Sequence, residues 1–139
     1  MIRRINNKDY NKINELMLQR FNITEDYNLL TSNNMYYGYV LEENNIIIGF
    51  LSFIFDGENI DILYFLIDKA FEGKGYGTKL LNDTLNLIFK DHAKSCTLDV
   101  RKSNLRAINV YNKLGFKEIY VRKAYYNDGE DDIVMKKEF

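Results

Sequence analysis

Glu72-Gly73-Lys74-Gly75-Tyr76-Gly77 places three glycines at alternate positions between an apolar run and an amphipathic stretch. Glycines so spaced let the backbone turn several consecutive N–H groups toward one point. The helix that follows adds its unpaired first-turn donors and the positive end of its dipole. A diphosphate can rest directly on such a backbone, with no side chain in the way. The same residues would also make a plain Gly-rich turn before a helix. Two better-known phosphate loops do not fit. A P-loop closes on Gly-Lys-Ser/Thr, whereas Gly77 is followed by Thr78-Lys79, in the reverse order. A dinucleotide fingerprint needs a glycine where Thr78 or Leu80 stands, and it opens a fold at its first strand rather than at mid-chain.

Other reactive residue types are scarce. His92 is the only histidine and follows a helical stretch in a polar context, which argues against a His-based triad or a multi-His zinc site; no metal is expected. Cys96 is the only cysteine and sits in an apolar run, where a buried structural thiol is expected.

The elements that must hold the glycine loop follow from periodicity. Ile2 to Ile5 reads as a short first strand. Asn7 or Asp9 is positioned to cap a helix carrying Ile13, Leu16, Met17 and Phe21 on one side, with a weaker helical stretch at Thr24 to Leu30. Three strands follow, Tyr36–Leu41, Ile46–Phe55 and Asn59–Ile67, separated by the hairpin signals Asn44-Asn45 and Asp56-Gly57. The loop then opens a helix from Gly77 to about Lys90, with Leu80, Leu81, Thr84, Leu85 and Ile88 inward. Cys96–Val100 is a strand. Ser103 or Asn104 caps a second strong helix with Ala107, Ile108, Tyr111 and Leu114 inward, and Gly115 ends it. Strands at Phe116–Arg122 and Ile133–Lys137 enclose the polar loop 127–132. The predicted order, β-α-α-β-β-β-α-β-α-β-β, implies an α/β (α+β) fold: a mixed sheet with helices on both faces and a site where neighbouring parallel strands end.

At 139 residues the chain is expected to form one domain, residues 1–139. Apolar residues make up 46% and charged residues 28%, ordinary for a globular protein. A net charge of -1 argues against nucleic-acid binding through bulk electrostatics. The N-terminus lacks an apolar signal region, and the longest apolar stretch, Ile46 to Phe55, is too short to span a bilayer, so a cytoplasmic protein without a membrane partner is expected. Proline is absent, so the turns depend on Gly, Asn and Asp.

From about residue 59 to 137 the chain resembles the GNAT superfamily of acetyl-CoA-dependent N-acetyltransferases. The loop Glu72 to Gly77 is similar to their pyrophosphate signature, Gln/Arg-x-x-Gly-x-Gly/Ala. Leu98-Asp99-Val100-Arg101-Lys102-Ser103-Asn104, followed by Ala107, Tyr111 and Leu114-Gly115-Phe116, is similar to the RimI type, which acetylates protein N-termini. Tyr125-Tyr126 and Glu130-Asp131-Asp132-Ile133-Val134-Met135 resemble that group's closing signature. The resemblance implies a mostly antiparallel central sheet, acetyl-CoA as co-substrate and an amine acceptor, with a peptide N-terminus favoured. A small-molecule amine acceptor, or a CoA-binding domain without catalysis, is the alternative.

The resemblance also implies roles. Phe65 and Ile67 would offer backbone groups to the pantetheine arm. Glu72, Gly73, Lys74, Gly75, Tyr76, Gly77 and Thr78 would surround the pyrophosphate, and Asn104 would lie along the CoA arm. Tyr111 would protonate the departing thiolate. Asp99 stands where RimI-type enzymes carry a general-base glutamate. Tyr125, Tyr126 and Asp131 would meet the acceptor. Each has a structural rival: packing for Tyr111, pairing with Arg101 or a neighbouring lysine for Asp99, helix capping for Asn104, and cover of the sheet edge for the two tyrosines. The chain departs from the pattern at Glu72, at Asp99 (one methylene short), at Asn127 in place of proline, and at the bulky Phe65-Leu66-Ile67.

Overall fold

The computed structural model describes residues 1–89 and 91–139, with the side chains of 87 and 88 excepted. The chain runs β1 (Ile2–Arg4), a 3-10 turn (Asn7–Asp9), α1 (Tyr10–Phe21), α2 (Tyr27–Leu30), β2 (Tyr36–Glu43), β3 (Ile46–Phe55), β4 (Asn59–Ile67), a second 3-10 turn (Lys69–Phe71) and α3 (Tyr76–Asp83). Then come β5 (Ser95–Arg101), α4 (Leu105–Lys113), β6 (Lys117–Arg122) and β7 (Asp132–Glu138). This is the predicted order. The strands form one seven-stranded sheet, β1-β2-β3-β4-β5-β7-β6, and every neighbouring pair is antiparallel except β4–β5.

Local chemistry explains the register. Asn44 and Asn45 both take positive φ, 51° and 64°, the left-handed pair that joins two right-twisted strands in a two-residue hairpin. Asp9 is the N-cap of α1, as one of the two expected, but its side chain makes no cap there. The capping box belongs to the 3-10 turn that leads into the helix, and the cap of that turn is Asn6. Its side chain accepts the Lys8 N–H, and the Asp9 carboxylate accepts the Asn6 N–H in return, at 2.8 Å. Asp9 is buried and held by Arg3, so it serves as the reciprocal member of the box.

Two apolar clusters lie on opposite faces of the sheet. One gathers Leu80, Leu81 and Leu85 with Leu51, Phe53, Ile60, Cys96, Leu98, Val100 and Phe116, and the inward side of α4 packs against it. The other joins Ile13, Leu16, Met17 and Tyr27 to Tyr36, Val40, Phe50 and Leu66. Helices therefore cover both faces, as expected, and Cys96 is a buried thiol. Phe21, expected inward, is exposed and lies beside Tyr64. Gly49 permits the closest helix approach: a Cβ there would stand 2.7 Å from Ile67 Cδ1 and 3.1 Å from Leu80 Cδ2.

The helix after the glycine loop differs from expectation. Regular α-helix ends at Asp83, and Thr84–Phe89 continues with π spacing. The wider turn seats Phe89 against Tyr37, Tyr39, Phe53 and Phe55, at ring separations of 5.0 to 6.2 Å. Lys90 and the Ile88 side chain, both part of the expected helix, fall outside the described residues.

The feature that positions a site is the parallel pair. β4 and β5 are bonded only over Asn59–Asp61 and Ser95–Thr97, yet β4 continues to Ile67 and β5 to Arg101. Past Asp61 and Thr97 the strands separate and leave an opening in the middle of the sheet. Among the described residues no helix is long and apolar enough to cross a membrane.

Candidate active site

The glycine loop closes one end of that opening. Gly73 and Gly75 hold φ of 76° and 84°, values that L-residues with side chains adopt only under strain. Gly75 is the N-cap of α3 and makes no side-chain cap, so the first helical donors are left free. Among the described residues, none of the backbone N–H groups from Gly73 to Thr78 meets a protein acceptor. A Cβ at Gly75 would find nothing within 4 Å, so the concave side is open. Lys74 and Tyr76 lie beside Phe71, at 5.8 and 6.3 Å. This donor row fits a diphosphate.

The β4 edge offers the next contacts. Asp68 N–H donates to Ile48 O on β3, so the groups of Phe65 and Ile67, one step out of phase, face the opening. The Ile67 carbonyl is already engaged there. Arg20 of α1 donates to it from Nη2 at 3.0 Å and from Nε at 3.3 Å. The same guanidinium pairs with Glu72, which neutralises the carboxylate that departs from the phosphate signature. Arg106, in the first turn of α4, reaches toward Gly73 and brings a second cation to the loop. Sequence reasoning missed both arginines. Arg20 carries no local signal, whereas the place of Arg106 two residues after the Asn104 cap could have pointed to it.

Tyr111 and Asp99 approach the opening from opposite faces. Leu98 and Val100 point into the cluster beneath α3 and α4, so Asp99 between them points the other way. Tyr111, on the inward side of α4, lies against Phe65 and Phe116 at 6.4 and 5.9 Å. Its hydroxyl has no hydrogen-bond partner among the described residues, and burial pushes its pKa up to about 12. The phenol therefore keeps its proton at neutral pH.

Asp99 is not paired with Arg101. That arginine binds Asp128 and Glu130, each at 2.9 Å, and stacks over Tyr126. Asp99 instead meets Asp132 of β7. Burial of its carboxyl among its neighbours, then the hydrogen bond and charge of Asp132, push it up to about 6 against the pull of Arg122. Asp61, across the parallel pair, is also raised, by burial, with Asp99 adding to the effect against a hydrogen bond from Thr97.

The remaining expected site residues divide. Asn104 is the cap of α4, its Oδ1 accepting the Ala107 N–H at 3.2 Å. Tyr125 is exposed beside Arg122, and the Tyr126 hydroxyl donates to Asp132. Asp131 is not brought to the opening. Its carboxylate accepts the Ala124 N–H and pairs with Lys123, fixing the turn where Ala124 takes a φ of 50°. Glu130 accepts the Ser103 N–H as well as binding Arg101, so most charge of the acidic loop is satisfied internally.

A family model described as "Acetyltransferase (GNAT) family" matches residues 1–116. An uncharacterised N-acetyltransferase of Methanocaldococcus jannaschii is 30% identical over 141 aligned positions, covering 99% of this chain and 90% of that protein. An N-alpha-acetyltransferase of Sulfurisphaera tokodaii is 47% identical over 62 residues, 44% of this chain but only 37% of that enzyme. Among solved structures, the ribosomal-protein-S18-alanine N-acetyltransferase of Escherichia coli superposes with a TM-score of 0.88 at 24% identity, covering 99% of this chain and 92% of that one.

Proposed function

The chain belongs to the GNAT acetyltransferase family and is an acetyl-CoA-dependent N-acetyltransferase, and from that premise we propose that its acceptor is the α-amino group of a protein or peptide N-terminus. The observation that supports this reading is the opening left where β4 and β5 stop bonding past Asp61 and Thr97, between the faces that carry Tyr111 and Asp99. The similarity to an archaeal N-alpha-acetyltransferase supports the peptide acceptor.

Gly73 to Thr78 present their amides to the pyrophosphate, with Arg106 offsetting its charge and Arg20 cancelling that of Glu72. The free backbone groups of Phe65 align the pantetheine arm, and the Nδ2 of Asn104, not used by the cap, faces the same arm. Acetyl-CoA supplies an activated acyl carbon and a thiolate leaving group. Asp99 takes one proton from the acceptor ammonium, directly or through one water, and leaves a nitrogen lone pair to attack the carbonyl carbon. The C–N bond forms and the C–S bond breaks. Tyr111 gives its proton to the departing sulfur and regains one from the acylated nitrogen. The proton on Asp99 leaves to solvent. Tyr125 and Tyr126 border the acceptor's path, while Asp131 shapes the turn that presents them. Orientation of the two substrates contributes the rest of the acceleration.

A second reading has a specific observation behind it. Asp61, Asp99 and Asp132 place three carboxyl groups on one sheet face, which also suits a small polycationic amine. Mass spectrometry of products from a mixed panel of peptides, polyamines and aminoglycosides separates the two: N-terminally acetylated peptide supports the proposal, and acetylated small amines alone would replace it.

A further inference from the structure

Asp132 is a fully buried carboxylate that the acetyl-transfer steps above do not use. It lies on β7 opposite Arg101, and Asp99 lies opposite Val134, so the two aspartates are diagonal neighbours on one sheet face. Few groups are arranged to satisfy it. The Tyr126 hydroxyl donates to Oδ1 at 3.3 Å. Arg122, its cross-strand partner on β6, holds Nε 3.8 Å from Oδ2, too far for a hydrogen bond. Oδ2 is buried and has no hydrogen-bond donor among the described residues. An unsatisfied carboxylate oxygen in such a place is costly, and a proton on Asp99 is the donor that this carboxylate lacks. Among the described residues no three acidic, His or Cys groups are arranged to hold a metal, so a shared proton is the arrangement that fits the pair.

We infer that Asp132 is a positioning residue for the transfer: its buried carboxylate accepts the proton that Asp99 takes from the acceptor and holds it in a carboxyl–carboxylate hydrogen bond. The inference rests on Asp99 being the base. Two carboxylates in contact cannot both be ionised without mutual repulsion, so together they bind one proton more tightly than either would alone. Tightened proton affinity makes Asp99 a better base than an ordinary aspartate, which offsets its reach being one methylene short of glutamate. The charged and titratable groups around the pair are Asp61 on β4, Arg101 opposite Asp132 on β5, Arg122 on β6 and Tyr126 in the loop before β7. Arg122 opposes proton uptake by Asp99, and the Tyr126 hydroxyl favours the ionised form of Asp132. The proton balance is simple: one N–H bond of the acceptor breaks, one O–H bond on Asp99 forms, and the proton goes to solvent once the product leaves.

The test is a carboxyl-carbon NMR titration of aspartate-labelled protein, run beside the pH profile of turnover at saturating acceptor. Wild type, Asp99→Asn, Asp132→Asn and Asp132→Ala are compared. One aspartate should titrate near pH 6 in the wild type and vanish in Asp99→Asn. In both Asp132 variants that midpoint should fall by about one pH unit or more, and the acid limb of turnover should move with it. A loss of fold would abolish turnover instead of moving its acid limb. An Asp99 midpoint that stays near 6 in Asp132→Asn overturns the inference while leaving Asp99 as base. Full turnover in Asp99→Asn overturns the base assignment itself, whatever Asp132 does.

Discussion

In the proposed transfer Tyr111 and Asp99 do opposite jobs, because their surroundings treat charge oppositely. Burial beside Phe65 and Phe116 keeps the phenol protonated, while the crowded face of β5 leaves Asp99 with a proton affinity between that of a free carboxylate and that of an amine. Tyr111→Phe should keep the fold and the acetyl-CoA affinity but lower kcat by about 10²–10⁴-fold, the usual worth of a positioned general acid. CoA-thiol release at saturating substrates reads this; a loss confined to KM would assign Tyr111 to packing. Asp99 makes a separate prediction about stability. Its pKa is higher folded than unfolded, so the folded state binds more proton between about pH 4 and 6, and stability falls as pH rises through that window. At pH 7 the ionised group is therefore a burden. Asp99→Asn should raise stability there by no more than ~1 kcal/mol, discounted because the residue is partly exposed, and by nothing below pH 4. Urea denaturation at both pH values measures it, and destabilisation at pH 7 would contradict the shift. The types and spacing of these two residues were legible in the sequence. Asp132 as the partner of Asp99 was not, because the pairing depends on β7 entering the sheet between β5 and β6.

The elements were the most legible part of the chain. Strand-like apolar runs gave β3 and β4 with their observed bounds, and hairpin signals gave both turns that join β2 to β4. What periodicity could not reveal is where a parallel pair stops bonding, since both strands remain strands after they part. Nor could it reveal that the last turns of the helix after Asp83 widen to fit Phe89 into an aromatic cluster. The glycine loop was legible as backbone geometry, and Gly75→Ala tests it. The methyl group clashes with nothing in the protein, yet φ of 84° strains any side chain by about 1–2 kcal/mol. The acetyl-CoA KM should rise about tenfold, with kcat retained; an unchanged KM would mean the amide row does not carry the diphosphate. α1 reaches this loop through Arg20. Arg20→Ala should weaken acetyl-CoA binding several-fold by leaving Glu72 uncompensated, and adding Glu72→Gln should restore most of it. A double variant as weak as the single one would place the role of Arg20 at the Ile67 carbonyl instead.

On the scale of the whole molecule, one topological event makes the rest possible. The sheet is continuous at the Asn59–Asp61 end and split at the other, so two reactants can meet inside a single layer, with the proposed acid and base on opposite faces. Acceptor choice belongs to this scale too, because the face beyond Asp99 is bounded by β6, β7 and the Tyr125-Tyr126 turn together. The acidic residues of the 127–132 loop, whose charge would suit a cationic acceptor, are largely engaged with Arg101, Lys123 and backbone amides, which weakens the case for polyamines. The most direct measurement is acetyl transfer from acetyl-CoA to peptides with free α-amino ends, read by CoA-thiol release and by mass spectrometry of the product. N-terminally acetylated peptide, lost in Tyr111→Phe, is the predicted result; transfer only to polyamines or aminoglycosides, or none to any amine, would contradict it.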